Sequence, residues 1–119
     1  MNKQLVMYTR SAFVCPYVRI AKRVLQKHNI SCVEVDIDQD DASKQRVLDW
    51  TGFLSVPTFV VADQGTVLPI EEPNALSNEV SPRGLDRGTM LTEPSGKQLE
   101  TWLQKHGLLS QPSPVISNT

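Results

Sequence analysis

Pro16, directly behind Cys15, constrains this chain more than any other residue. Proline lacks a backbone N–H and holds φ near the helical value, so it suits the first helical position and disrupts later ones. Upstream, Leu5-Val6-Met7-Tyr8-Thr9 is a short apolar, β-favouring run that reads as a buried strand. Downstream, Tyr17, Ile20/Ala21, Val24/Leu25 and His28 recur at helical spacing, and Asn29 is placed for a left-handed cap. Cys15 therefore falls where a strand-to-helix loop becomes a helix running from about Cys15 to His28. The unpaired N–H groups of a first helical turn carry partial positive charge and favour a thiolate over a thiol. Cys15 is accordingly expected to be a nucleophile, with Arg10, Arg19 and Lys22 near enough in sequence to add to the effect.

In Cys32-Val33-Glu34-Val35-Asp36-Ile37, apolar residues alternate with polar ones, which predicts a second strand. Asp36-Ile37-Asp38-Gln39-Asp40-Asp41 resembles a calcium loop, but Asp41 stands where the turn glycine belongs and Val47 where the bidentate glutamate belongs. These carboxylates read instead as a strand end followed by caps of a helix N-terminus. That helix is expected over Asp41–Trp50, burying Val47, Leu48 and Trp50 and ending at Gly52. Ser55–Val61 reads as a third strand reached through Pro57, followed by a turn at Asp63-Gln64-Gly65 and a hairpin partner at Thr66-Val67-Leu68. From Pro69 to Pro94 no period holds, which predicts a long loop insert. Ser95 is placed to cap a last helix with Leu99, Trp102, Leu103 and His106 on one face and Gly107 at its end. Tyr8, Trp50 and Trp102 fall at core positions, and His28 and His106 at helix C-termini, where they complement the dipole. The order β-α-β-α-β-β-α predicts an α/β fold: a four-stranded mixed sheet with helices on both faces.

The chain's 119 residues suit one domain, read as 1–109 with a frayed tail over 110–119. A net charge of −1, with lysines and arginines spread along the chain, argues against nucleic acid or an anionic membrane as partner. The apolar run after Gln4 is too short for a signal peptide or a membrane span. Two cysteines are too few for a secreted disulfide scaffold, which makes the reducing cytoplasm the expected compartment. Cys32 opens a strand parallel to the first, about 16 Å from the strand end that Cys15 follows. A disulfide spans at most ~7 Å between Cα atoms, so Cys32 reads as a small strand residue and not as a partner for Cys15.

Tyr8-Thr9-Arg10, Cys15-Pro16-Tyr17, Ala21-Lys22, Thr51-Gly52 and Ser55-Val56-Pro57 together resemble the glutaredoxin family of the thioredoxin-like fold over roughly residues 5 to 68. The resemblance implies that Cys15 forms a mixed disulfide with glutathione, flanked by Pro16, Tyr17 and Val18, and that Pro57 is a cis-proline facing it. It further implies that Val56 pairs its backbone with the cysteinyl part of glutathione and that Arg10 stands near the glycyl carboxylate. Gly84-Leu85-Asp86 is similar to the family's Gly-x-Asp element before the last helix, which would put Gly84 and Asp86 at the γ-glutamyl end. Three features depart from the pattern. Val18 replaces the second cysteine, two residues (Phe13-Val14) are added before Cys15, and the 69–94 segment is long.

The function implied is a glutathione-dependent thiol–disulfide oxidoreductase of one-cysteine, monothiol type. It would act as a monomer on glutathionylated or disulfide-bearing proteins, with glutathione as co-substrate and no metal. Two alternatives stay open. One is a dimeric carrier of a 2Fe-2S cluster completed by glutathione; the other is a non-catalytic interaction module using the long loop. A Cys–His hydrolase fits poorly, since His28 lies about 20 Å from Cys15 along the same helix.

Overall fold

β1 (Lys3–Thr9), buried from Leu5 onward, is the strand around which the others are laid. In the computed structural model, which describes residues 2–12, 14–76 and 80–109, β1 pairs in parallel with β2 (Val33–Asp36), from Val6 against Val33 to Thr9 against Asp36. Its other side pairs antiparallel with β3 (Thr58–Asp63), and β3 in turn with β4 (Met90–Thr92). The sheet order is β2-β1-β3-β4. Three helices complete the fold: α1 (Pro16–Lys27), α2 (Asp41–Thr51) and α3 (Gly96–Lys105).

Because side chains alternate along a strand, the sheet has two apolar faces. Leu5, Met7, Phe59, Val61 and Leu91 meet Ala21, Val24 and Leu25 of α1 and Leu99, Trp102 and Leu103 of α3. Val6, Tyr8, Val60, Ala62 and Met90 meet Val47 and Trp50 of α2, with Ile37 and Val56 closing the cluster. Tyr8 sets its ring edge-on to Trp50 at 5.3 Å between centroids, and its hydroxyl donates to the Val67 carbonyl. The expected α/β fold with helices on both faces is therefore the observed one, with Tyr8, Trp50 and Trp102 all in the core.

The helix ends follow the local chemistry read from the sequence. Pro16 opens α1, Asn29 takes φ 56° just beyond its end, and Gly52 takes φ 80° at the end of α2. Ser95 caps α3: its hydroxyl accepts from the Gln98 N–H at 3.1 Å, and the Gln98 side chain accepts from the Ser95 N–H at 2.8 Å. Each bond satisfies a donor that the helix leaves unpaired. Ser95→Ala is expected to cost about 1 kcal/mol, measured as a lower urea midpoint with an unchanged slope. The start of α3 packs directly on α1, since a Cβ at Gly96 would lie 3.5 Å from Val24 and 3.6 Å from Ile20. Further along, Glu100 of α3 meets His28 at 2.6 Å and Lys27 at 3.5 Å, so the two helices run in the same direction.

Three expectations are corrected. Thr66-Val67-Leu68 is not a strand, although the turn before it forms, with Thr66 N–H donating to the Asp63 carbonyl at 3.0 Å. The place beside β3 belongs to Met90-Leu91-Thr92, inside the segment read as patternless. Met90 and Leu91 each fill one face of the sheet and Thr92 meets the Thr58 hydroxyl at 3.0 Å, whereas the rival run leads straight into Pro69, which has no N–H to offer a ladder. Leu48 is 36% exposed, because α2 rests on the sheet only through the stripe carrying Val47 and Trp50; Ser43 is buried instead. The second strand forms as expected, as an edge strand that leaves Val33 38% exposed and Val35 half-buried and is covered mainly beyond its end, at Ile37. The stretch from Ser110 onward, read as a tail, lies outside the described residues.

Candidate active site

Cys15 is the N-cap residue of α1, with extended backbone (φ −109°, ψ 125°), and its carbonyl accepts the first helical bond from Arg19 N–H at 3.2 Å. Proline at the next position removes one donor, leaving the N–H groups of Tyr17 and Val18 as the free donors of the first turn. The half-buried Sγ donates to the Val56 carbonyl at 3.4 Å. The bond that follows, Val56–Pro57, is cis, and the Pro57 carbonyl accepts from Glu93 N–H at 2.8 Å. Two adjacent carbonyls thus hold the thiol on one side and the β4–α3 junction on the other.

The loop before Cys15 is fixed by two carboxylates at the end of β2. Asp36 accepts from Ser11 N–H at 3.1 Å; Asp38 accepts from Ala12 N–H at 2.9 Å and pairs with Arg10 at 3.0 Å. These bonds hold both carboxyls below the usual range, chiefly through Ser11 for Asp36 and Arg10 for Asp38. Of the acidic run read as a strand end followed by helix caps, Asp36 ends β2 and Asp40 and Asp41 stand at the start of α2, while Asp36 and Asp38 also brace the loop that approaches the sulfur. Lys22 meets Glu34 at 3.4 Å, and Arg10 spans to Asp38, so two of the three cations expected to serve the sulfur are engaged with carboxylates on the β2 side.

The structure brings Cys15, Pro16, Tyr17, Val18, Val56 and Pro57 together. Val18, in the place of a second cysteine, is half-buried and packs with Cys15 against the cluster on the α2 face. Gly84 and Asp86 are placed differently from expectation: β4 intervenes, and Thr92-Glu93-Pro94-Ser95 leads into α3. Gly84 N–H donates to the Thr92 carbonyl at 2.7 Å, which keeps it beside the site end of β4. Asp86 is turned toward the far end of α3, where it meets Lys105 at 2.7 Å. The reason is the register of the segment before β4, whose single bridges set Arg83 against Thr92 and Asp86 against Leu91.

Two residues escaped the sequence reading. Arg83 sets its guanidinium 5.0 Å from the centre of the Tyr17 ring and reaches Glu93 at 3.4 Å. With Arg83 exposed and Tyr17 half-buried, this contact stabilises by about 0.5–1 kcal/mol. Glu93 has a left-handed backbone (φ 46°), a conformation that favours glycine or asparagine and is uncommon for a glutamate. No local pattern announces either, since both owe their place to contacts distant in the chain.

Cys32 sits before β2 at the opposite end of β1 and packs against the other apolar cluster. Burial pushes its thiol up to about 11, with Glu34 adding to the rise and Lys22 opposing it. The unfolded chain loses this proton first, so folding stability is undiminished below about pH 9 and falls as pH rises toward 11. At pH 8, iodoacetamide is expected to alkylate Cys15 while Cys32 stays unmodified, with about one Cys32 in a thousand ionised. Peptide mapping of alkylated protein across pH 7–11 checks this; prompt labelling of Cys32 at neutral pH would contradict it.

Neither the curated proteins nor the solved structures include a match to this chain. A family model does match: that of glutaredoxin, over residues 5–65, from β1 through the turn after β3. With the thiol at a helix start, the cis-proline opposite and just over half of the chain covered, the chain belongs to the glutaredoxin family of thiol–disulfide oxidoreductases.

Proposed function

We propose that this protein reduces glutathione mixed disulfides through a single thiol, with glutathione as co-substrate. What carries this reading is the placement of one half-buried sulfur at the start of α1 against the Val56 carbonyl, with valine three residues on and the other cysteine at the far end of the sheet. The Cys15 thiolate attacks the glutathionyl sulfur of a mixed disulfide. The new S–S bond joins Cys15 to glutathione, and the old one breaks to release the client's thiolate. A second glutathione thiolate then attacks the same glutathionyl sulfur, freeing Cys15 and leaving oxidised glutathione. Atoms and electrons balance without a second protein thiol.

The Val56 carbonyl has a part in this sequence. While Cys15 is a thiol the carbonyl accepts its proton. Once the sulfur is bonded to glutathione it has no proton to give, and the carbonyl is released to accept an N–H from the bound tripeptide, as a short strand addition. Arg10, at the end of β1, is proposed for the tripeptide's glycyl carboxylate, and the chemistry is assigned to a reducing, glutathione-containing compartment.

The test has two measurements. Incubation with oxidised glutathione should add one glutathionyl group, mapped to Cys15. A glutathionylated peptide should then be turned over with glutathione, followed as oxidised glutathione formed. An adduct without turnover would make this a binding module, and absence of both would overturn the reading.

A further inference from the structure

The family match ends at residue 65, and β4 begins at Met90. The segment between them is secured to the body at several points. Trp102 Nε1 and His106 Nε2, one helical turn apart on α3, both meet the Gly88 carbonyl, at 2.9 and 2.8 Å. Arg87 donates to the carbonyls of Trp50 and Asn74. Ile70 N–H donates to the Val61 carbonyl at 2.9 Å, and Thr89 exchanges bonds with Glu71. Arg83 is delivered from this anchored segment onto Tyr17, two residues past the sulfur, and onto Glu93, whose N–H holds the Pro57 carbonyl.

The Arg83 side chain remains 57% exposed while its guanidinium lies on the ring. Among the described residues its one ion pair is the 3.4 Å contact to Glu93, made by a single nitrogen. A guanidinium offers five donors in a planar fork that fits a carboxylate in two-point fashion. Arg83 therefore presents a fixed cation, with donors to spare, at the rim of the site. We infer that the β3–β4 segment is part of the active site and supplies Arg83 as a specificity-determining residue that favours disulfides carrying a carboxylate near the reacting sulfur. This rests on Cys15 being the reacting thiol, but not on glutathione being its physiological partner. The carboxylate can come from the glutathionyl group or from an acidic residue beside the client's cysteine.

A stoichiometric assay separates this inference from the function above. In a Cys32→Ala background, the Cys15 thiolate attacks a symmetrical aromatic disulfide, bonding to one half and expelling the other as a thiolate, which is read by its absorbance directly or, for the pyridine reagent, after protonation to the thiopyridone. The dianionic dithiobis(nitrobenzoate) and the neutral dithiodipyridine are compared. Arg83→Gln should lower the anionic-to-neutral rate ratio about three- to fivefold, Arg83→Glu further, and Arg83→Lys less than Arg83→Gln, since it keeps the charge but not the two-point fork, with the differences shrinking in high salt. A change in Tyr17 position alone would slow both reagents alike and leave the ratio fixed, which overturns the inference. Turnover of acidic and neutral peptides bearing either glutathione or carboxyl-free cysteamine then locates the source. An Arg83→Gln rise in KM that follows the glutathionyl group assigns the tripeptide, and one that follows the acidic residue assigns the client. No dependence on either overturns the inference. If no peptide is turned over, the function proposed above fails while the reagent ratio still decides the role of Arg83.

Discussion

Cys15→Ser is expected to lower turnover of a glutathionylated peptide by a factor on the order of a thousand or more, while Cys32→Ala leaves it within about twofold. A serine hydroxyl keeps a donor for the Val56 carbonyl and fills nearly the same space, so the fold has no reason to change. What is lost is the sulfur: an alcohol is hardly ionised at neutral pH and cannot form the mixed disulfide. Cys32 is a small residue against the α1/α3 cluster, its thiol protonated well above neutrality. Alanine there removes no reacting atom. Circular dichroism on both variants, with initial rates at saturating glutathione, checks the pair. Equal losses would mean that the role of Cys15 is structural and would remove the mechanism above.

The second large effect is on stability. Trp102 is 2% exposed, packs a tilted ring against Phe59, and donates its indole N–H to the Gly88 carbonyl. Trp102→Ala should cost about 3–5 kcal/mol through the cavity it leaves, a large share of the ~5–15 kcal/mol by which ordinary domains are stable. Trp102→Phe keeps most of the ring and should cost about 1–2 kcal/mol, largely the lost hydrogen bond. His106 then continues to hold the Gly88 carbonyl. Burial keeps that imidazole below its ordinary value, and meeting a carbonyl through Nε2 requires the proton on that nitrogen. Adding His106→Ala to Trp102→Phe should therefore cost more than its effect alone, because it leaves the carbonyl without either donor. Urea titrations of the four proteins give the coupling; strict additivity would mean that the shared carbonyl does not link the two side chains.

Much of the fold was legible because it is written in local chemistry. Pro16, Gly52, Ser95 with Gln98, and Gly107 mark helix ends through donors and backbone angles that involve only near neighbours. The placement of Cys15 at a helix start follows from the same signals, whereas its meeting with Val56, next to the cis bond at Pro57, is implied by the family resemblance alone. β4 was not legible. Three residues carry too little alternation to stand out, and Met90-Leu91-Thr92 is a strand only because β3 lies beside it and Thr58 faces Thr92. Arg83 and Glu93 were hidden for a related reason: each is defined by a partner on a distant element, Tyr17 in one case and Pro57 in the other. The acidic run is legible as a strand end and a helix start, but the bracing of Ser11 and Ala12 by Asp36 and Asp38 is not, since helix capping and loop bracing demand the same side chains.

The two cysteines of the sequence stand at opposite ends of β1 and against opposite faces of the sheet. A folded molecule so built has no way to close a sulfur–sulfur ring within itself. A disulfide at Cys15 must instead leave a foreign passenger on the chain or weld two copies together. The redox history of a sample is therefore open to direct weighing, molecule by molecule.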